Sequence, residues 1–195
     1  RMAKRRAIIR KLPAVETLGS TTVICSDKTG TLTENQMTVR RMFAGGESFE
    51  VEGNGYAPDG RIVAGGADVR GNMSAALTET LTAGLLCNDS RLVEADGLWR
   101  VEGDPTEGAL LTAAAKAGLF PQDAEVKMPR KDVIPFESER QFMATLHFTA
   151  DGHVLYLKGA IEKVLEACSE GLSADGKTAA LDKDALHQKV DELAA

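Results

Sequence analysis

FMATLHFTADGHVLYLKG, residues 142–159, decides what kind of fold this chain builds. Residues 142–148 alternate, which places Phe142, Ala144, Leu146 and Phe148 on one face of an extended run, and Asp151-Gly152 then turns the chain into a second run over 153–158. Two extended runs joined by so tight a turn pair antiparallel. Just upstream, residues 133–136 read as a further short strand. Just downstream, residues 161–168 read as a helix, as do residues 182–193.

Farther out, Leu77, Leu81 and Leu85 recur every fourth residue and predict a helix over 74–87, and residues 91–101 predict a hairpin turning at Asp96-Gly97. Asp104 followed by Pro105 starts a helix that runs to about residue 117, where Gly118 ends it. Glycine punctuates residues 44–72 so heavily that only short strands, such as 48–51, fit between the breaks. Residues 37–43 predict a strand leading into that stretch. Hairpins interleaved with helices imply an α+β fold built on an antiparallel sheet. The β-branched run at 21–25 reads differently, as a buried strand of the parallel kind, with Asp27 at its carboxyl end.

Composition narrows the function. A chain of 195 residues, 43% hydrophobic, has enough apolar material for one or two globular units. Its formal charge of −6 argues against general affinity for nucleic acid, although residues 1–11, RMAKRRAIIRK, hold six basic residues and no acidic one and read as a solvated arm, with a nuclear-localisation or membrane-surface signal as the alternatives. No window approaches the roughly 18 apolar residues that span a bilayer. Cys25, Cys87 and Cys168 form no C-x-x-C pair and are expected to be reduced, mostly buried thiols. The start at Arg1 without a signal peptide suggests a fragment.

Two regions carry chemistry. After the 21–25 run comes SDKTGTLTENQMT, residues 26–38. An Asp at a strand end can act as nucleophile or metal ligand, with Lys28 offsetting phosphate charge and Thr29, Thr31 and Thr33 donating hydrogen bonds. The plain alternative is a polar turn. The other region comprises GDPTE at 103–107, PFESER at 135–140 and LKGA at 157–160. Glu107, three residues after Asp104, can close a capping box or offer its carboxylate to a ligand. Phe136 is either core or a platform on which a base stacks, and Lys158 is either a snorkelling side chain or a pocket lysine beside the open backbone of Gly159. Neither a G-x-x-x-x-G-K-S/T loop nor a G-x-G-x-x-G turn occurs.

The seven residues Asp27-Lys28-Thr29-Gly30-Thr31-Leu32-Thr33 resemble the phosphorylation signature of cation-transporting P-type ATPases, nearest the calcium-pump-like branch. The likeness extends through residues 11–19 and 34–38, and the three later stretches resemble elements of that family's nucleotide-binding domain, in the family's order. The resemblance implies that Asp27 takes the γ-phosphate of ATP, with Lys28, Thr29 and Thr31 holding the phosphoryl group and Asp27 and Thr29 binding Mg²⁺. It makes Phe136 the adenine-stacking residue, Glu107 the acceptor of the adenine amine, and Lys158 and Gly159 part of the nucleotide pocket. Gln141 stands where the family often has a nucleotide-contacting lysine, which Arg140 can replace, and Ile161-Glu162 stands for the usual Pro-Glu.

The implied organisation is a basic arm and first strand of a haloacid-dehalogenase-like phosphorylation domain over residues 1–36. An incomplete nucleotide-binding domain, a twisted antiparallel sheet flanked by helices, follows over 37–195. Implied partners are ATP and the remaining phosphorylation, actuator and transmembrane domains, with the chain, itself soluble, on the cytosolic face of a membrane. The family's Thr-Gly-Asp, Asp-Pro-Pro and Gly-Asp-Gly-x-Asn-Asp elements are absent from these residues, so one carboxylate and a threonine carbonyl are too few ligands for octahedral Mg²⁺. Nucleotide binding without turnover is expected. A soluble phosphatase of the haloacid-dehalogenase type is the first alternative, opposed by Thr29 where such enzymes carry a second Asp. A stand-alone adenine-nucleotide module is the second.

Overall fold

In a computed structural model that describes residues 20–28 and 30–194, the glycine pairs of the sequence become hairpin turns. Strands β1 (Arg41–Ala44) and β2 (Glu47–Val51) join through Gly45-Gly46, and β3 (Ile62–Ala64) and β4 (Ala67–Asp68) through Gly65-Gly66, all four glycines at positive φ. Two consecutive positive-φ residues make the turn whose twist matches that of paired strands. The four strands form one antiparallel sheet in sequence order. Gly45 serves a second purpose, because a Cβ there would lie 2.7 Å from the Cβ of Ala76 on the first helix.

That helix, α1 (Ala75–Leu86), starts at Ser74, whose hydroxyl accepts from the Leu77 N–H at 3.3 Å. It is the spine of the unit. Leu77 and Leu81 pack on Phe49, Val51 and Ile62 of the first sheet, Leu85 packs on Leu111 and Ala114, and Leu86 with Cys87 packs on Met143 and Tyr156 of a second sheet. A helix that meets neighbours on several sides is apolar on several sides. Burial pushes the Cys87 thiol up from its ordinary value.

The hairpin β5 (Arg91–Ala95) to β6 (Leu98–Glu102) turns at Asp96-Gly97, both at positive φ. Helix α2 (Pro105–Lys116) follows and rests on β6, where Gly108 leaves room for Val101. After α3 (Pro121–Lys127) come β7 (Arg130–Glu137), β8 (Phe142–Thr149) and β9 (Gly152–Gly159), a three-stranded antiparallel sheet in that order. Helix α4 (Ile161–Ala167), the short hairpin β10 (Glu170–Leu172) and β11 (Thr178–Ala180), and α5 (Lys183–Ala194) complete the described chain.

The structure is mixed helix and sheet with antiparallel pairing, as expected, but the sheet is divided into four small ones of four, two, three and two strands. Three expectations are corrected. Residues 21–25 form no strand, and Val23 and Ile24 are 72% and 86% exposed. β-Branched composition is a preference that tertiary context overrides. Cys25 is accordingly exposed, while Cys87 is buried and Cys168 half-buried. The strand expected from residue 37 begins at Arg41.

Strand β8 holds a subtler difference. Its more deeply buried face is Met143, Thr145 and His147, each nearly inaccessible, whereas Phe148 on the apolar face is 42% exposed. Burial of the polar pair is tolerable because His147 Nε2 pairs with Thr145 Oγ1 and His147 Nδ1 with the Met128 carbonyl, both at 2.9 Å. By its contacts the chain divides into two units at Asn35 and Gln36. All the strands and helices above belong to the second.

Candidate functional site

Within that second unit, the start of α2, the ends of β7, β8 and β9, and the segment leading into β5 surround an open cleft of about 1060 Å³. Asp104 caps α2, its carboxylate accepting from the N–H groups of Thr106 at 2.8 Å and Glu107 at 3.2 Å. Burial acts to raise the Asp104 carboxyl, but the hydrogen bonds from Glu107 and Thr106, with the nearby Lys158 charge, outweigh it and hold the group below its ordinary value.

The capping box does not form. Instead of reaching back to the Asp104 N–H, the Glu107 carboxylate reaches across the cleft wall. Its Oε1 accepts from Lys158 Nζ at 2.6 Å, and its Oε2 accepts from Ser90 Oγ at 2.9 Å and from the Asp89 N–H at 3.1 Å. The place left vacant in the box is filled by Ser90, whose hydroxyl oxygen accepts from the Asp104 N–H at 2.8 Å. Gly103 makes this possible: it sits at φ 128°, and a Cβ there would lie 2.8 Å from the Ser90 Cβ. Lys158 and Glu107 are 22% and 15% exposed at their side chains, so the pair is shielded from bulk water yet open to a ligand.

Phe136 lines the same cleft near the end of β7, and the residue is 60% exposed. Gly159 closes β9 opposite Phe142, and a Cβ there would lie 2.6 Å from that residue's Cβ. Gln141 also lines the cleft and holds a left-handed φ of 58° at the β7–β8 turn, where its N–H and that of Arg140 both donate to the Glu137 carbonyl. The cleft therefore joins an exposed aromatic face, an ammonium and the carboxylates of Asp89, Asp104 and Glu107, with apolar surface from Leu110, Met143 and Ala160. Such a set suits a flat heteroaromatic ligand with hydrogen-bond donors on its polar edge.

A family model described as P-type ATPase, cytoplasmic domain N, matches residues 76–195, which include every one of these cleft residues. The chain belongs to the P-type ATPases. Over its whole length it is 50% identical to a protein of Synechocystis named cation-transporting ATPase pma1, of which it covers 22%. Over 94% of its length it is 52% identical to the probable cation-transporting ATPase F of Mycobacterium tuberculosis, covering 20% of that protein. Over 92% it is 41% identical to a calcium-transporting ATPase of Bacillus subtilis, again covering 20%. The chain thus spans about a fifth of the length of these relatives.

Of the residues singled out in the sequence of this P-type ATPase chain, Glu107, Phe136, Gln141, Lys158 and Gly159 meet at the one cleft. Arg140 is not among the residues that line it, and its Nη2 is held by Glu137 Oε1 at 2.6 Å. Asp27, Lys28 and Thr31 lie in the first unit and are exposed, and Thr29 lies outside the described residues. There the chain folds back on the Lys28 carbonyl, which accepts from the N–H groups of Leu32 and Thr33, both at 3.1 Å, with Gly30 at φ 72°.

Asp89, Ser90 and Gly103 are cleft residues whose roles the sequence did not signal, although Gly103 belongs to a quoted stretch. The only available signal was the polar run Asn88-Asp89-Ser90 interrupting two apolar segments, which reads equally well as a loop. Among the described residues no three His, Cys, Asp or Glu side chains cluster as a metal site, and no helix is long and apolar enough to cross a membrane.

Proposed function

We propose that this chain is the ATP-binding part of a cation-transporting P-type ATPase, residues 1–36 belonging to the phosphorylation domain and 37–195 to the nucleotide-binding domain. The observation that carries the reading is the convergence of Phe136, Glu107 and Lys158 on one cleft from three separate stretches of sequence. Adenine stacks on the exposed Phe136 ring. Its exocyclic amine donates to Glu107, whose carboxylate offers about four lone-pair sites, three of them taken by the bonds described above. Lys158 spends one of its three donors on Glu107 and keeps charge for the phosphate chain, and Gly159 lets the ligand approach the β9 backbone.

In the whole protein, Asp27 receives the γ-phosphoryl group: its carboxylate oxygen bonds to phosphorus as the bond to the ADP oxygen breaks. Lys28, Thr29 and Thr31 steady the phosphoryl oxygens, and hydrolysis of the acyl phosphate drives cation movement through membrane segments of the parent on whose cytosolic side this chain lies. Asp27 and Thr29 supply too few oxygens to order Mg²⁺. The chain by itself therefore binds nucleotide without turning it over.

Stacking on one ring contributes about 1–3 kcal/mol and a charge-assisted contact about 1.5–3 kcal/mol, which together correspond to a dissociation constant on the order of 1 mM. Titration of the chain with ATP, followed by NMR shifts, tests the reading. Phe136→Ala should lose nearly all binding and Asp27→Asn none; the reverse pattern would put the pocket elsewhere.

A further inference from the structure

Behind the cleft wall stands a side chain that no step above uses. Arg130 opens β7 opposite His147 and lines a separate cavity of about 410 Å³, with Ser90 shared between the two cavities. Its guanidinium fork grips the segment that follows α1. Nη1 donates to Asp89 Oδ1 at 2.6 Å, and Nη2 donates to the Leu86 carbonyl at 3.1 Å and to the Asn88 carbonyl. Leu86 is the last residue of α1, so a cation there also meets the negative end of the helix dipole.

Asn88 tightens the same segment from inside. It is 7% exposed; its Nδ2 donates to the carbonyls of Gly84 at 3.0 Å and Glu107 at 3.1 Å, and its Oδ1 accepts from the Ser90 N–H at 2.9 Å. Residues 88–90 are thereby tied to α1, to α2 and, through Arg130, to β7. Two of the three donors that aim the Glu107 carboxylate, the Asp89 N–H and the Ser90 hydroxyl, sit on this braced segment.

We propose that Arg130 is a positioning residue for Glu107, and through it sets the selectivity of the cleft for adenine over bases that lack an amine at the same place. The inference rests on reading Glu107 as the acceptor of the adenine amine. A carboxylate held in place attracts an amine and repels a carbonyl oxygen, so it discriminates adenine from hypoxanthine. A carboxylate free to swing discriminates neither. A planar fork that spans one carboxylate and two carbonyls is not reproduced by a point charge, so Arg130→Lys keeps the charge at the helix end and loses most of the brace.

The test compares binding of ATP and ITP to the full chain in the unchanged protein, Arg130→Met, Arg130→Lys and Glu107→Gln, with melting curves recorded alongside. The unchanged chain should prefer ATP by about tenfold, the worth of one charge-assisted hydrogen bond. Both Arg130 variants should bring ATP affinity down towards that for ITP while leaving ITP affinity nearly constant. General loosening of the fold would weaken both nucleotides alike and keep their ratio, which would overturn the proposal. Arg130→Lys carries the test if Arg130→Met does not fold. If Glu107→Gln abolishes the preference and the Arg130 variants retain it, the positioning role is wrong and the adenine reading stands. If Glu107→Gln leaves the preference intact, the adenine reading itself fails and the proposal falls with it.

Discussion

Removing the Glu107 carboxylate should cost this chain more stability than a helix-capping residue would. Glu107 accepts three hydrogen bonds, from Lys158 at 2.6 Å, Ser90 at 2.9 Å and the Asp89 N–H at 3.1 Å, and is 15% exposed at its side chain. Hydrogen bonds to charged groups contribute about 1.5–3 kcal/mol each, without adding in full. Breaking a fully buried ion pair costs about 3–5 kcal/mol, and the remaining exposure of Lys158, 22%, lets water recover part of that. Glu107→Ala is therefore expected to lose about 3 kcal/mol, or roughly 6–12 °C in melting temperature for a unit of this size. Lys158→Met leaves Glu107 with two donors and should lose about 1–2 kcal/mol. Urea unfolding of both single variants and the double variant gives the coupling, expected at about 1.5 kcal/mol. If the two losses add within about 0.5 kcal/mol, the ion pair contributes nothing and the cleft wall is held by other means.

Two further outcomes follow from single positions. Gly103→Ala should destabilise the chain by more than about 1 kcal/mol and weaken nucleotide binding together, since its φ is 128° and its new methyl group would strike Ser90; urea unfolding unchanged within about 0.5 kcal/mol would show that Ser90 yields. Lys116 is 1% exposed, with Nζ donating to the Glu52 carbonyl at 2.8 Å, and burial, helped by the Arg40 charge, pulls its ammonium below its ordinary value despite Asp59. The unfolded chain then binds more protons than the folded one as pH approaches the usual lysine range, so stability should climb there. Lys116→Met should flatten that climb in melting curves taken from neutral to alkaline pH, and an identical slope in both proteins would assign it to another group.

Local signals in the sequence were reliable where local chemistry suffices. Ser74 and Asp104 with Pro105 mark helix starts because their side chains or fixed φ satisfy N–H groups within the same turn. Asp96-Gly97 marks a hairpin because the left-handed turn is a property of two consecutive residues, and Gly45-Gly46 and Gly65-Gly66, read from the sequence only as breaks, make two more turns of the same kind. The helix at residues 121–127 and the hairpin of β10 and β11 escaped notice. The first is two turns long with no side-chain cap at Phe120, and the second has only three residues to a strand.

The family, the boundaries of four helices, near residues 75–86, 105–116, 161–167 and 183–194, and the candidate residues Phe136, Glu107, Lys158 and Gly159 were thus contained in the sequence itself. Which partners those residues take was decided only by tertiary structure. Glu107 bonds with Lys158, 51 residues away, rather than with its own helix start, and Ser90 takes over the cap that the local pattern assigned to Glu107. Arg140 turns to Glu137 instead of the cleft. The polar side of β8 faces inward because α1 lies on that side and Thr145 and His147 satisfy each other there. The run at 21–25 has β-strand composition and forms no strand, because composition is a preference that tertiary context overrides. Torsion angles and N-caps that close within one turn, such as that of Asp104, depend on a few adjacent residues and can be read from order alone. Burial, ion pairing and strand pairing depend on which distant segment arrives alongside.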